Sequence, residues 1–221
     1  MNLSIETNLS GKIPLKLAVF ISGGGTTLRN LIAKIDAGAL PAQISVVVSS
    51  NPQAKGLEIA ASAGIPSVVV ERRAFSSIEE YSQAIFAPCF EHQVDLIAMA
   101  GFLKLVRIPN EFRGRILNIH PSLIPAHCGA GFYGLKVHSA VLAADEKISG
   151  CTVHFVDDHY DHGPIVLQRQ VPVLKGDTPE TLAVRVFEAE CEAFPEAIRL
   201  FAEGRLRIEG DRVVIAPPTA I

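Results

Sequence analysis

Ile116-Leu117-Asn118-Ile119-His120-Pro121-Ser122-Leu123 reads as a buried β-strand that runs off the edge of a sheet. A strand has a period of two, so Asn118 and His120 project to one face while Leu117 and Ile119 fill the other. Pro121 has no N–H to give to a ladder and biases His120 towards extended backbone, so pairing stops there. The strand ends on two polar side chains just before a loop. One is an amide donor; the other is an imidazole that exchanges a proton near neutral pH. A histidine at a strand end is more often structural than catalytic, so the assignment depends on what the rest of the chain brings beside it.

Upstream, Leu15 to Ser22 (LKLAVFIS) is a near-continuous apolar run, the pattern of a strand covered on both faces. Gly23-Gly24-Gly25 and Thr26-Thr27 follow, then a helical stretch from Leu28 to Ala37. Further strands are expected at Ile44–Ser49, Ser67–Val70 and Leu96–Ala100, with helices at Lys55–Ala63 and Ser77–Phe90, the second ended or kinked by Pro88. This alternation predicts an α/β fold: a mostly parallel, Rossmann-like sheet with helices on both faces. Downstream of His120 the character changes. A long Gly/Pro-containing segment, Pro121 to Lys136, leads to a short helix at Val137–Ala144. Strands at Ser149–Val156 and Ile165–Val173 then pair antiparallel. A last helix opens at Asp177-Thr178-Pro179 and is kinked by Pro195, and a hairpin spans Arg205 to Ile215. The sheet thus continues into an antiparallel C-terminal part. Residues 1–14 read as a flexible tail and 15–221 as one domain.

The 221 residues are 48% hydrophobic and 19% charged, enough for one proper core, and a net charge of −3 gives no basic field for nucleic acid. Cys89, Cys128, Cys151 and Cys191 are far apart with no CxxC, which favours reduced cytoplasmic thiols. No apolar run reaches membrane-spanning length, and Met1–Pro14 lacks the pattern of a secretory signal.

Ligands of open α/β sheets gather at the carboxyl ends of the strands, where the glycine loop, Gly101 and Asn118/His120 can converge. Gly25, Thr26 and Thr27 stand between a strand and a helix, so their backbone N–H groups favour an anion. Leu28 occupies the third small position of a dinucleotide fingerprint, and there is no GxxxxGK[ST]. A small phosphate monoester fits better than NAD or ATP. The turn Asp157-Asp158-His159-Tyr160-Asp161-His162-Gly163-Pro164 is dense in titratable groups. A metal site drawing on His154, Asp158, His159, Asp161 and His162 lacks helical HxxxH or HExxH spacing, so no metal is expected. Asp161 is instead taken as a carboxylate supplied to His120, favouring the protonated ring and fixing its orientation. With no GxSxG and no cysteine at a strand end beside His120, direct transfer between two bound substrates is expected.

The stretches FISGGGTTL, MAGFLKLV, ILNIHPSLIP, GCTVHFVDDHYDHGPIVLQ and VPVLKGDTPETL, in this order, resemble the phosphoribosylglycinamide formyltransferase family of purine synthesis, from about Leu15 to Arg207. The resemblance implies a formyltransferase fold and transfer of the formyl group of 10-formyltetrahydrofolate, a co-substrate, to the amine of glycinamide ribonucleotide. It implies that Asn118, His120 and Asp161 form the catalytic trio, and that Gly25, Thr26 and Thr27 cradle the substrate phosphate while Glu190 holds its ribose. Leu103, Lys104, Leu105 and Val106 would line the folate pocket with Asn118 and the turn Asp157, Asp158, His159, Tyr160 and Asp161. A cis peptide at Ile124-Pro125 is also implied. Four departures stand out: Thr26-Thr27 where members often carry Ser-Asn, Ile78 where some members carry an arginine, a loop from Ala126 to Leu135 longer than in the shortest members, and His162 in place of a common glycine. The expected partners are the two small-molecule substrates, with no nucleic acid and no membrane, on a cytoplasmic monomer or weak homodimer. The rivals are a formyltetrahydrofolate hydrolase, which adds a domain before the first strand, a methionyl-tRNA formyltransferase, which adds one after the last helix, and a non-catalytic nucleotide-phosphate binding module.

Overall fold

The computed structural model describes residues 5–6 and 14–218. A short strand β1 (Ile5–Glu6) precedes β2 (Leu15–Ile21), which is buried at every residue but Lys16. There follow α1 (Thr26–Asp36), β3 (Ala42–Ser49), α2 (Gly56–Ser62), β4 (Ser67–Val69), α3 (Ile78–Glu91), β5 (Leu96–Met99) and β6 (Ile116–His120). The C-terminal part holds α4 (Leu135–Ala143), β7 (Ile148–Phe155), β8 (Ile165–Pro172), α5 (Pro179–Ala202), β9 (Leu206–Glu209) and β10 (Arg212–Ile215).

The main sheet has seven strands in the order β4-β3-β2-β5-β6-β7-β8. The pairs from β4 to β6 are parallel; β6–β7 and β7–β8 are antiparallel. This is the expected Rossmann-like sheet with its antiparallel continuation. The chain leaves β2 towards β3 on one side and returns through β5 on the other, so a crevice opens at the carboxyl ends of β2 and β5. The two parities of the buried strands feed two cores. Leu17, Val19, Leu117 and Ile119 pack with Leu28, Leu31, Val186 and Phe194 on the α1/α5 face. Phe20, Ile97 and Ile116 pack with Tyr81, Ile85 and Phe86 on the α3 face.

Pro88 does not end its helix, and Pro195 lies within the last helix as expected. Helix α3 runs through Pro88 to Glu91, and α5 runs through Pro195 to Ala202. A helical proline frees the carbonyl four residues earlier. In α5 that carbonyl belongs to Cys191, and Asn30 Nδ2 donates to it at 2.9 Å. A side chain from α1 thus replaces the missing bond and ties the two helices together. The expected N-cap holds: Thr178 accepts from the Thr181 N–H, with Pro179 following. The N-terminal tail needs one correction. Ile5–Glu6 pairs antiparallel with β9, giving a three-stranded sheet β1-β9-β10, so this piece is paired rather than frayed. The rest of 1–13 lies outside the described residues.

Candidate active site

The glycine loop comes first in the chain and is held on several sides. Gly25 has a left-handed φ of 75°, and a Cβ there would strike Gly56 of α2. Only glycine allows that turn together with that approach. Helix α1 begins at Thr26, two residues before the expected start, and no side chain caps it, so its first N–H groups face outwards. The Ser22 N–H donates to the Gly101 carbonyl at 3.1 Å, and the Leu103 N–H donates to Ser22 Oγ at 3.0 Å. These bonds fix the glycine loop against the segment after β5.

Strand β6 supplies Asn118 and His120 on one face, as the alternation requires. Register places His154 of β7 opposite Asn118 and Thr152 opposite His120. His154 is buried, and its Nδ1 donates to the Phe155 carbonyl at 2.8 Å. Its Nε2 is then an acceptor, and Asn118 Nδ2 lies 3.0 Å away. The same Nδ2 lies 3.3 Å from Asp161 Oδ1. Turning the amide round would set its oxygen against that carboxylate, so the orientation is fixed with the NH₂ towards both acceptors. Thr152 steadies the following loop: its hydroxyl donates to the Ser122 carbonyl at 2.7 Å and accepts from the Ile124 N–H at 3.0 Å. The Ile124-Pro125 bond is cis, as expected.

The turn after β7 delivers Asp161. It has a φ of 51°, a conformation aspartate tolerates better than most residues. Behind it, a Cβ at Gly163 would collide with the Phe155 carbonyl, so glycine lets the turn fold back on its own strand. Asp161 Oδ2 stands 3.4 Å from His120 Nδ1 and accepts from the Gly129 N–H at 2.9 Å. His120 Nε2 lies 3.0 Å from the His127 carbonyl, which can only accept. The Nε2 therefore carries a proton, and in the neutral ring Nδ1 is a bare lone pair facing Asp161.

Asp161 favours the protonated ring, as expected, but burial opposes it. Burial lowers the His120 pKa more than Asp161 and the His127 carbonyl raise it, so it falls below the usual histidine value. The resting imidazole is neutral, and Asp161 stabilises the cation only once a proton arrives. For Asp161, burial opposes ionisation, but the groups around it, among them the Gly129 N–H that it accepts from, outweigh it and hold the carboxyl below its ordinary value. The pair is an uncharged base beside an ionised carboxylate, with an oriented amide at its side.

These groups border a cavity of about 600 Å³, also lined by Thr26, Thr27, Leu103 and Glu190. Desolvation pushes the Glu190 carboxyl up to about 7. A second, smaller cleft is lined by Lys104, Leu105, Val106, Asp157 and His159, and shares Asn118, Tyr160 and Asp161 with the first. The two spaces therefore meet at the amide and the carboxylate. Gly25 stands behind Thr26 and lines neither. Asp158 also lines neither: its carboxylate turns away to the Ile108 N–H at 3.2 Å and to Arg113 at 2.9 Å, anchoring the turn.

Sequence reasoning missed several contributors. His154 and Thr152 were legible only through the β6–β7 register. The lengthened loop brings Phe132 and Tyr133 to the larger cavity and the Gly129 N–H to Asp161. His138 of α4 lines the same cavity, buried, with its Nδ1 unpaired. No local pattern marks these.

Comparison with known proteins gives the family. Residues 15–198 match the formyl transferase family model. A phosphoribosylglycinamide formyltransferase of Haemophilus influenzae is 40% identical over 196 residues, covering 88% of this chain and 90% of that protein. A trifunctional purine biosynthetic protein adenosine-3 of Gallus gallus is 42% identical over 212 residues; that match covers 94% of this chain but only 21% of the longer protein. The crystal structure of glycinamide ribonucleotide transformylase 1 from Symbiobacterium toebii superposes with a TM-score of 0.87 at 43% identity, covering 92% of this chain and 95% of that one. The chain belongs to the formyl transferase family and, within it, to the phosphoribosylglycinamide formyltransferases.

Proposed function

We propose that the chain transfers the formyl group of 10-formyltetrahydrofolate to the amine of glycinamide ribonucleotide, giving formylglycinamide ribonucleotide and tetrahydrofolate. The observation that carries this is the meeting of two cavities at Asn118 and Asp161, with a neutral His120 beside them. One cavity takes the ribonucleotide: its phosphate at the uncapped start of α1 near Gly25, Thr26 and Thr27, its ribose at Glu190. The other takes the folate along Lys104 to Val106 and against Asp157, His159, Tyr160 and Asp161 of the turn, with Leu103 on the larger-cavity side and Asp158 anchoring the turn from behind.

The amine attacks the formyl carbon, and a tetrahedral centre forms with negative oxygen. The Asn118 hydrogen that rests against Asp161 at a long 3.3 Å donates to this oxygen. His120 takes the proton released by the amine, and Asp161 and the His127 carbonyl then stabilise the imidazolium. The centre collapses with cleavage of the bond to the folate nitrogen, which receives the proton. Water does the relaying where the groups do not touch. Holding both substrates in line supplies much of the remaining rate.

All four cysteines are free, which supports a reducing, cytoplasmic setting. One chain furnishes every residue of the site, so a monomer or weak homodimer suffices. The test is incubation of the purified chain with 10-formyltetrahydrofolate, with and without glycinamide ribonucleotide. Tetrahydrofolate should form only with the ribonucleotide, mole for mole with the formylated product. Formyl loss without it would indicate a hydrolase, and no loss in either case would indicate a binding module.

A further inference from the structure

The turn that carries Asp161 has a second cluster on its outer side. Asp157 Oδ2 lies 2.6 Å from His162 Nδ1, and Asp157 Oδ1 lies 3.7 Å from His159 Nδ1. One ligand atom from each of the three side chains falls within 4.8 Å of the other two. A tetrahedral zinc ion with bonds of about 2.0–2.1 Å needs its donors roughly 3.3 Å apart. His162 Nδ1 and His159 Nδ1 each stand near one oxygen of the Asp157 carboxylate, and both imidazoles are more than 70% exposed, so small rotations close the set. The Asp157 carboxylate is held in place, its Oδ1 accepting from the His159 backbone N–H at 2.8 Å. Two imidazole nitrogens, one carboxylate oxygen and a position open to solvent make a three-ligand set suited to borderline divalent ions. The constellation differs from the one sequence alone set aside. His154, Asp158 and Asp161 are committed elsewhere, and Asp157 takes their place.

We propose that Asp157, His159 and His162 form a surface site for a divalent transition-metal ion of the zinc type. The ion closes a six-residue turn, Asp157 to His162, whose fifth member is Asp161. The proposal does not depend on formyl transfer, because it is read by binding of the metal itself.

Calorimetric titration of the intact, untagged, metal-free chain with zinc chloride should show one ion per chain. His159→Ala and His162→Ala should each weaken uptake by about tenfold or more, about 1.4 kcal/mol or above. His162 stands outside the transfer site, so His162→Ala should retain its formyl transfer in metal-free buffer, which establishes that the variant is folded. No zinc uptake by the parent chain overturns the proposal. So does unchanged affinity in either variant, or a thiolate charge-transfer band in the cobalt(II)-loaded chain, which would place the ion on cysteine.

Discussion

Asp161→Asn is expected to lower turnover by about 10²–10⁴-fold, the range associated with a positioned proton-transfer pair, while leaving the KM for glycinamide ribonucleotide close to that of the parent. The asparagine keeps the size of the side chain and can still accept from the Gly129 N–H, so the turn should hold. What disappears is the negative charge 3.4 Å from His120 Nδ1. Without it, burial alone acts on the ring, and the imidazolium that forms as the amine loses its proton has only the His127 carbonyl to lean on. In the proposed binding mode the ribonucleotide phosphate lies at Thr26 and Thr27 and its ribose at Glu190, groups that do not touch this pair, so its binding should be spared. Steady-state kinetics on the variant and the parent decides the matter. Near-parental turnover would remove Asp161 from the mechanism.

Asn118→Ala should cost about 10²–10³-fold in kcat, the usual price of losing one oxyanion donor. It should also destabilise the fold by about 1–3 kcal/mol, because the buried His154 Nε2 loses its partner. The two effects are separable. Denaturant unfolding reads the second, and turnover measured well below the unfolding midpoint reads the first. A variant that is less stable yet turns over normally would show that the amide holds His154 and does nothing for the reacting oxygen.

The parallel sheet was legible because its strands are apolar on both parities and each is followed by a Gly or polar break. Asn118 and His120 were legible for the same periodic reason, and Asp161 because a carboxylate was needed near the imidazole. Elements defined by long-range contact were not. Pro195 was placed inside the last helix, but the bond from Asn30, distant in sequence, to the freed Cys191 carbonyl was not. His154 matters because antiparallel pairing sets it opposite Asn118, a fact of register rather than of local pattern. The net direction of the His120 shift was not legible, because sequence shows the neighbouring carboxylate but not the depth of burial that outweighs it. Asp158 was grouped with the folate turn by adjacency alone; which way it points depends on Arg113, far along the chain.

The central claim is a neutral His120 made ready to accept a proton by the carboxylate beside it. NMR titration of the His120 imidazole, in the parent chain and in Asp161→Asn, tests it most directly. Burial sets the ring below the ordinary histidine value of 6.5, and Asp161 pulls it back up. The parent midpoint should therefore lie below 6.5, and removal of the carboxylate should lower it further. A parent midpoint at or above 6.5, or a midpoint that does not move when Asp161 loses its charge, would contradict the account.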